Sequence, residues 1–300
     1  MKQEMNLQLT PEQERALSKK QAKKRRAGYL AAKYAVAVIL IVFFMFPYLF
    51  MVNKSLMTAG ELLVGDPHFF PRNFQISNYS IVGAYWKYIL NTLQVVLING
   101  FFAPFSACFC AYPLARHRFK GKKFMFGFIM STVLLPSAVL MVPQYFLYSQ
   151  FGLVGNLSSQ LIGAFWGGGA LNIFLVIQFM RGIPKDMDNA ARIDGANEYQ
   201  IFFRIVFPLC FNVFLYMAIG MAMGLWMDFQ GPLLYLGENE SQFTIALAFY
   251  FNYVKNTGES SNMQNQLMAM CVVVSLVPLL LFLCFQKQMI GGIKIGGLKG

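Results

Sequence analysis

Charge is scarce in this 300-residue chain: 13% of its residues are Asp, Glu, Lys or Arg, against 57% hydrophobic residues and a mean hydropathy of +0.49. That composition excludes an ordinary soluble domain. Acid is scarcer than base, 13 residues against 25, for a formal net charge of +12. A strongly basic chain often binds nucleic acid, but here the bases cluster between apolar runs, the pattern of cytoplasmic loops in a polytopic membrane protein. No glycine run ends in Lys-Ser or Lys-Thr, so the chain is not expected to hydrolyse ATP. No Ser/His/Asp or Cys/His grouping suggests hydrolysis, and His68 and His117 stand a whole apolar run apart, too far to share a metal. The five cysteines (Cys108, Cys110, Cys210, Cys271 and Cys284) all lie in apolar runs or at their start, without zinc-like pairing. They read as packing residues, and disulfides are not expected. Internal repeats, low-complexity tracts and a second soluble domain are also lacking.

Six runs of membrane length are present. Residues 1–28 are polar and basic, ending in Lys19, Lys20, Lys23, Lys24, Arg25 and Arg26. Thr10-Pro11-Glu12 reads there as the cap and first turn of a short surface helix. The basic cluster reads as a topology determinant that also attracts anionic lipid. The apolar run behind it is too long for a cleavable signal peptide and has no small-residue cleavage site after it. The first span is expected near Tyr29–Val52, followed by an external loop to Lys87 with little regular structure. The second runs near Tyr88–Leu114 into the basic loop Arg116–Lys123. The third, Phe124–Tyr148, holds Pro136 and Pro143, and the fourth, Ser159–Met180, holds Gly167-Gly168-Gly169. Residues 181–208 form a basic connection, the fifth span reaches from Pro208 to about Leu236, and a polar loop extends to Met263. The sixth lies near Gln264–Phe285, with Lys287, Lys294 and Lys299 beyond it. Every strongly basic segment thus falls on one side. The fold class read here is an all-α membrane protein of six transmembrane helices. Residues 29–286 form the membrane domain, 287–300 a tail, and both termini are cytoplasmic.

One polar stretch stands apart, Asp186 to Pro208, reading DMDNAARIDGANEYQIFFRIVFP. Asp186, Met187, Ala190, Ala191 and Asp194 recur at helical spacing, with the two alanines making a narrow side. Gly195 stands where that helix must stop in a left-handed residue. Asn197, with Gln200 three residues on, caps a second helix. That helix runs into Pro208, where a new helix begins and the old one cannot continue unbroken.

The stretch resembles the EAA loop of binding-protein-dependent ABC importers, in their membrane-spanning permease subunit. Ala190-Ala191, Gly195, Ile205 and Pro208 fall in that register, with Phe207 where Leu is usual and Asn189 where the glutamate belongs. Asn91-Thr92, Ala111-Tyr112, Ala115-Arg116, Arg118-Phe119, Gly121, Pro136, Pro143-Gln144-Tyr145, Gln178-Phe179, Ile183-Pro184, Trp226 and Pro232 are similar to the carbohydrate importer branch. The tail from Gly291 to Gly300 is similar to that of the maltose-type second permease.

The resemblance implies a bacterial cytoplasmic-membrane subunit, not itself an enzyme, that forms half of a sugar path. It implies a homologous second permease, ABC ATPase subunits that use the ATP and Mg, and an external solute-binding protein. This chain is expected to bind no cofactor, no metal and no nucleic acid. It further implies an ATPase-coupling role for Asp188, Asn189, Ala190, Ala191, Asp194, Gly195, Ile205 and Pro208. Asp188 is expected to supply part of the charge that Asn189 lacks. A polyol, glycerol phosphate or amino acid is the alternative solute class. An ion-coupled transporter would need membrane carboxylates in several spans, and a structural scaffold would leave the loop unexplained.

Polar groups inside the spans point to the path. Asp228 is the one acid well inside a predicted span, and ~20 residues at 1.5 Å put it ~30 Å along the fifth span, near its external end. Asn91, Asn99, Gln144, Tyr145, Asn172 and Gln178 suit sugar hydroxyls, and Trp226 suits a sugar ring. Each serves equally well as interhelical glue or, for Trp226, as an interface aromatic.

Overall fold

In a computed structural model of the chain, residues 11–63, 69–255 and 264–292 are described, and they contain helices and turns but no strand. The extreme N-terminus, Gly65, Pro67, His68, Glu259 and the tail from Ile293 lie outside the described residues. Four helical stretches are long and apolar enough to cross a bilayer: Lys23–Ser55, Ile76–Arg116, Ser158–Arg181 and Gln264–Gln288. Two bent pairs, Lys122–Leu134 with Ser137–Gln150 and Glu198–Leu209 with Phe211–Trp226, raise the number to six if each is one span.

Helix α1 (Pro11–Ser55) is continuous, so the expected surface helix and first span are one rod. Nothing between them breaks a helix except Gly28, and the flanking Ala, Lys, Gln and Arg are strong helix formers. None of the described side chains in its apolar middle is buried; Ile39, Phe43 and Phe44 are exposed. Its far end is fixed. The loop after it, read from sequence as irregular, is knotted down beyond α2 (Ala59–Leu63). Buried Asn78 donates to the carbonyls of Ser55 and Met57 at 2.8 and 2.9 Å and accepts from Asn265 at 2.8 Å.

Helix α3 (Ile81–Arg116) begins seven residues before the expected Tyr88 and runs unbroken through Pro104 and Pro113. It is the centre of the fold, packed along its length on the fourth and fifth spans. The third span is not one helix. Helices α4 (Lys122–Ser131) and α5 (Ser137–Gln150) meet at 104°. The cause is Pro136: its ring drives Leu135 out of the helical region, to φ −83° and ψ 117°.

The fourth span also breaks, between α6 (Ser158–Leu161) and α7 (Ala170–Arg181). Gly167, Gly168 and Gly169 all take positive φ there, and Gly168 lies against the backbone of Ala103. The Gly167 N–H donates to Ser106 Oγ at 3.1 Å, so α3 supplies a partner for broken backbone at membrane depth.

Beyond α8 (Asp186–Ile193) and α9 (Glu198–Ile201), residues Phe202–Val206 form a π-helical turn that leads into α10 (Phe207–Leu209). The bend, 70°, falls at Cys210 rather than at Pro208 as expected. The widened turn absorbs the missing proline N–H, and the Cys210 N–H, shared by the Val206 and Phe207 carbonyls, marks the break. Helix α11 (Phe211–Trp226) ends ten residues before the expected Leu236, and a step at Met227–Phe229 leads into α12 (Gln230–Tyr235). Helices α13 (Ile245–Phe249) and α14 (Gln264–Gly292) complete the described chain.

Two apolar clusters hold these elements. One gathers the C-terminal half of α3, α7, the start of α11 and the loop residues Ala191, Ile201, Phe202 and Val206. The other gathers the N-terminal half of α3 with Trp226, Leu236, Ile245 and Met270. Helix α3 therefore belongs to both ends of the molecule.

Candidate functional site

The polar loop builds its turn as its sequence demands. The Ala196 N–H bonds the Ala191 carbonyl at 2.9 Å and the Gly195 N–H bonds the Arg192 carbonyl at 3.1 Å, the two reversed bonds that close a helix C-terminus. Gly195 takes φ +83°, and no atom stands within 4 Å of where its Cβ would be. Asn197 and Gln200 then cap α9 reciprocally: Gln200 N–H donates to Asn197 Oδ1 at 2.9 Å, and Asn197 N–H to Gln200 Oε1 at 2.8 Å.

One charge of the loop is turned inward, while Lys185, Asp186, Arg192, Asp194, Glu198 and Arg204 are exposed. Asp188 is 2% exposed, and its Oδ2 faces Arg116 Nε at 3.3 Å. Arg116, the last residue of α3, also donates from Nη1 to the Ile183 carbonyl at 2.8 Å. Asp188 therefore cannot replace the missing glutamate at the surface; that expectation is corrected, because α8 turns it toward α3. Asn189 does face outward, and its Oδ1 accepts from Arg192 Nη1 at 3.2 Å. Glu198 is a second hub. It accepts from Arg192 Nε and Nη2 at 2.9 and 3.3 Å and from Tyr112 Oη at 2.9 Å, with His117 Nε2 at 3.3 Å. The Arg192 guanidinium and the Tyr112 hydroxyl hold its carboxyl below the usual range.

The loop shows solvent a mixed surface: Ile193 is 87% exposed, and Met187, Tyr199 and Phe203 are also exposed, together with the exposed charges named above. Ala190, Asp194, Gly195 and Pro208 are exposed as well, Ala191 is buried, and Ile205 is half-buried. A small cavity of about 190 Å³ lies beside Tyr199, walled by Phe109, Tyr112, Pro113, His117, Glu198 and Phe202. The sequence assigns no site role to Arg116, Tyr112, His117 or Glu198. The position of Arg116 at a span end marked it as a topology charge, and only packing shows its partner.

The path residues are not brought together. Trp226 is 2% exposed and donates its indole N–H to the Val274 carbonyl at 3.1 Å, so it is corrected from path lining to interhelical core. Asn91 spends its amide on the carbonyls of Ser241 and Phe243, at 3.1 and 2.9 Å, and is likewise structural. Asn99 donates to the Gln160 carbonyl, and Asn172 to the Gly168 carbonyl at 2.6 Å, across the break in the fourth span. Gln144 donates to Tyr148 Oη, while Tyr145 is half-buried. Asp228 is not inside a helix. It sits in the step after α11, half-buried, where its Oδ1 accepts from the Gly231 N–H at 3.4 Å. Among the described residues no three His, Cys, Asp or Glu side chains group as metal ligands.

Residues 103–294, from the middle of α3 through the loop and into the last helix, match the binding-protein-dependent transport system inner membrane component family. The chain belongs to that family. It is accordingly a multi-pass membrane protein of the transport-permease class.

The melibiose/raffinose/stachyose import permease protein MelC of Bacillus subtilis is 31% identical over 262 residues, covering 85% of this chain and 91% of that protein. The arabinooligosaccharides transport system permease protein AraQ of Halalkalibacterium halodurans is 29% identical over 251 residues, with 84% and 88% covered. The diacetylchitobiose uptake system permease protein NgcG of Streptomyces coelicolor is 26% identical over 276 residues, with 89% and 88% covered. A solved chain from a bacterial ABC transporter that imports the acidic polysaccharide alginate shares the fold. Its TM-score is 0.77 at 20% identity, over 88% of this chain and 97% of that one.

Proposed function

We propose that this permease forms half of the translocation path of an ATP-driven importer for a sugar or oligosaccharide. The observation that carries the reading is the loop. A helix, a left-handed glycine and a capped second helix expose Met187, Ile193 and Tyr199 together with Asp186 and Asp194, while the base of the loop is fastened to α3. Such a knuckle suits a groove on a partner protein, here the ATPase subunit. The sugar class is supported by relatives named for oligosaccharide import that match over most of their length.

On this reading the chain lies in the bacterial cytoplasmic membrane with both termini inside, beside a homologous second permease. An external solute-binding protein delivers the sugar, and ATP and Mg are held by the ATPase pair. ATP binding closes that pair, the loops move with it, and the cavity between the permeases changes its opening from inside to outside; hydrolysis resets it. Gln144, Tyr145, Asn172 and Asp228 stay as candidates for the path.

Reconstitution tests this. The permease pair, its ATPases and its binding protein in proteoliposomes should take up labelled oligosaccharide only when ATP is enclosed with the ATPases, and collapse of the proton gradient should leave uptake unchanged. Uptake driven by the gradient without ATP would refute the proposal and favour ion coupling.

A further inference from the structure

We propose that the loop moves α3 directly, through the buried Arg116–Asp188 pair, and that this pair is a positioning element for coupling. The proposal rests on the reading of residues 181–208 as the ATPase-docking loop.

Three routes lead from the loop into the membrane. Two are covalent: one joins α8 back to α7 across residues 182–185, and the other enters α11 through the π-helical turn Phe202–Val206 and the 70° bend at Cys210. A push along α9 cannot pass straight through such a corner. The through-space route has no corner. Arg116 grips Asp188, in the first turn of α8, and the Ile183 carbonyl ahead of it. One turn back along α3, Tyr112 donates to Glu198 of α9, and the Tyr112 and Phe109 rings pack on Phe202 at 5.2 and 5.6 Å. The last turns of α3 thus hold both halves of the loop.

The far end of α3 has equally specific partners. The helix is 36 residues long, ~54 Å at 1.5 Å per residue, and unbroken. Asn91 holds the Ser241 and Phe243 carbonyls, and Thr92 Oγ1 accepts from the buried Ile245 N–H at 2.8 Å. Between the ends, Asn99 and Ser106 bind the backbone of the broken fourth span. Displacement of the loop therefore reaches the glycine break and the 241–245 segment through one continuous helix.

The Arg116–Asp188 contact is suited to this task rather than to stability. Arg116 Nε and Nη2 and Asp188 Oδ1 are buried without a hydrogen bond, so the two side chains face each other as charges. A buried pair of this kind favours stability little over an apolar pair, yet it fixes one relative placement of the two helices. Removing one partner leaves the other charge buried alone, whereas an apolar pair can fill the same space.

The test uses the complete transporter, comparing wild type with Asp188→Asn and with the double variant Arg116→Met/Asp188→Leu. The readouts are ATPase recovered with the purified permease pair and sugar transported per ATP hydrolysed. The double variant should assemble to at least half the wild-type level and transport at least tenfold less sugar per ATP, with Asp188→Asn lowered in the same direction. An unchanged ratio in the double variant overturns the proposal. Failure of the double variant to assemble assigns the pair to folding and overturns it too. A wild-type permease that recovers no ATPase instead refutes the docking role of the loop, a result distinct from either.

Discussion

Gly168→Ala tests the packing of the broken fourth span against α3 with a single methyl group. Gly168 takes φ +61°, a left-handed value that an alanine reaches at about 1–2 kcal/mol. The methyl has nowhere to go: it would lie 2.4 Å from the Ala103 carbonyl oxygen and 2.8 Å from its carbon, where ordinary contact begins at 3.4 Å. Helix α3 or the break must give way by about 1 Å, and forcing an extra carbon into packed structure costs about 1–3 kcal/mol more. The total is about 2–5 kcal/mol. Gly237→Ala is the internal control, because φ is +60° there but nothing lies within 4 Å of the added carbon, so it carries the backbone strain alone. The assay is the temperature at which half of the detergent-purified protein is lost from its monodisperse size-exclusion peak. Gly168→Ala should fall several degrees below Gly237→Ala. The change Ala103→Gly should not rescue it, since the closest obstacle is backbone. Equal midpoints for the two alanine variants, or rescue by Ala103→Gly, would refute the close approach.

Two further outcomes follow from the loop and from the core. At Gly195, where the backbone is left-handed and the space is open, Asn should be tolerated best, Ala next and Val least, with strain of order 1–3 kcal/mol for Val. Membrane insertion should persist while ATPase recovery and uptake fall in that order; wild-type uptake by Gly195→Val would contradict the turn geometry. Trp226→Phe removes the indole donor to Val274 and opens a small void, which should cost about 1–3 kcal/mol in stability and leave the transport KM for sugar unchanged. A changed KM with unchanged stability would return Trp226 to the path.

What the sequence told correctly was local, and what it missed was tertiary. The apolar runs, the stop at Gly195 and the reciprocal cap at Asn197 and Gln200 each depend on residues within a few positions of one another. Pro136 was visible too, but treating a proline as tolerable inside a span hid its effect on Leu135, which turns one span into two helices at 104°. The polar residues failed differently. In a membrane span an amide, an indole or a carboxylate must find a partner, and sequence does not say whether that partner is solute or backbone. Trp226 found the Val274 carbonyl, Asn91 found two carbonyls 150 and 152 positions away, and Asp188 found Arg116. Arg116 shows why charge patterning alone was insufficient. A base at the end of a span satisfies the topology rule whether it lies in water or is buried, and only burial against an acid gives it a second task. The same reasoning applies to the outward surface of the loop: Asp188 is drawn inward and Glu198 is engaged by Arg192 and Tyr112, so the exposed acids Asp186 and Asp194 share that surface with Ile193, Met187 and Tyr199. A groove that fits this loop is therefore expected to offer bases as well as apolar side chains.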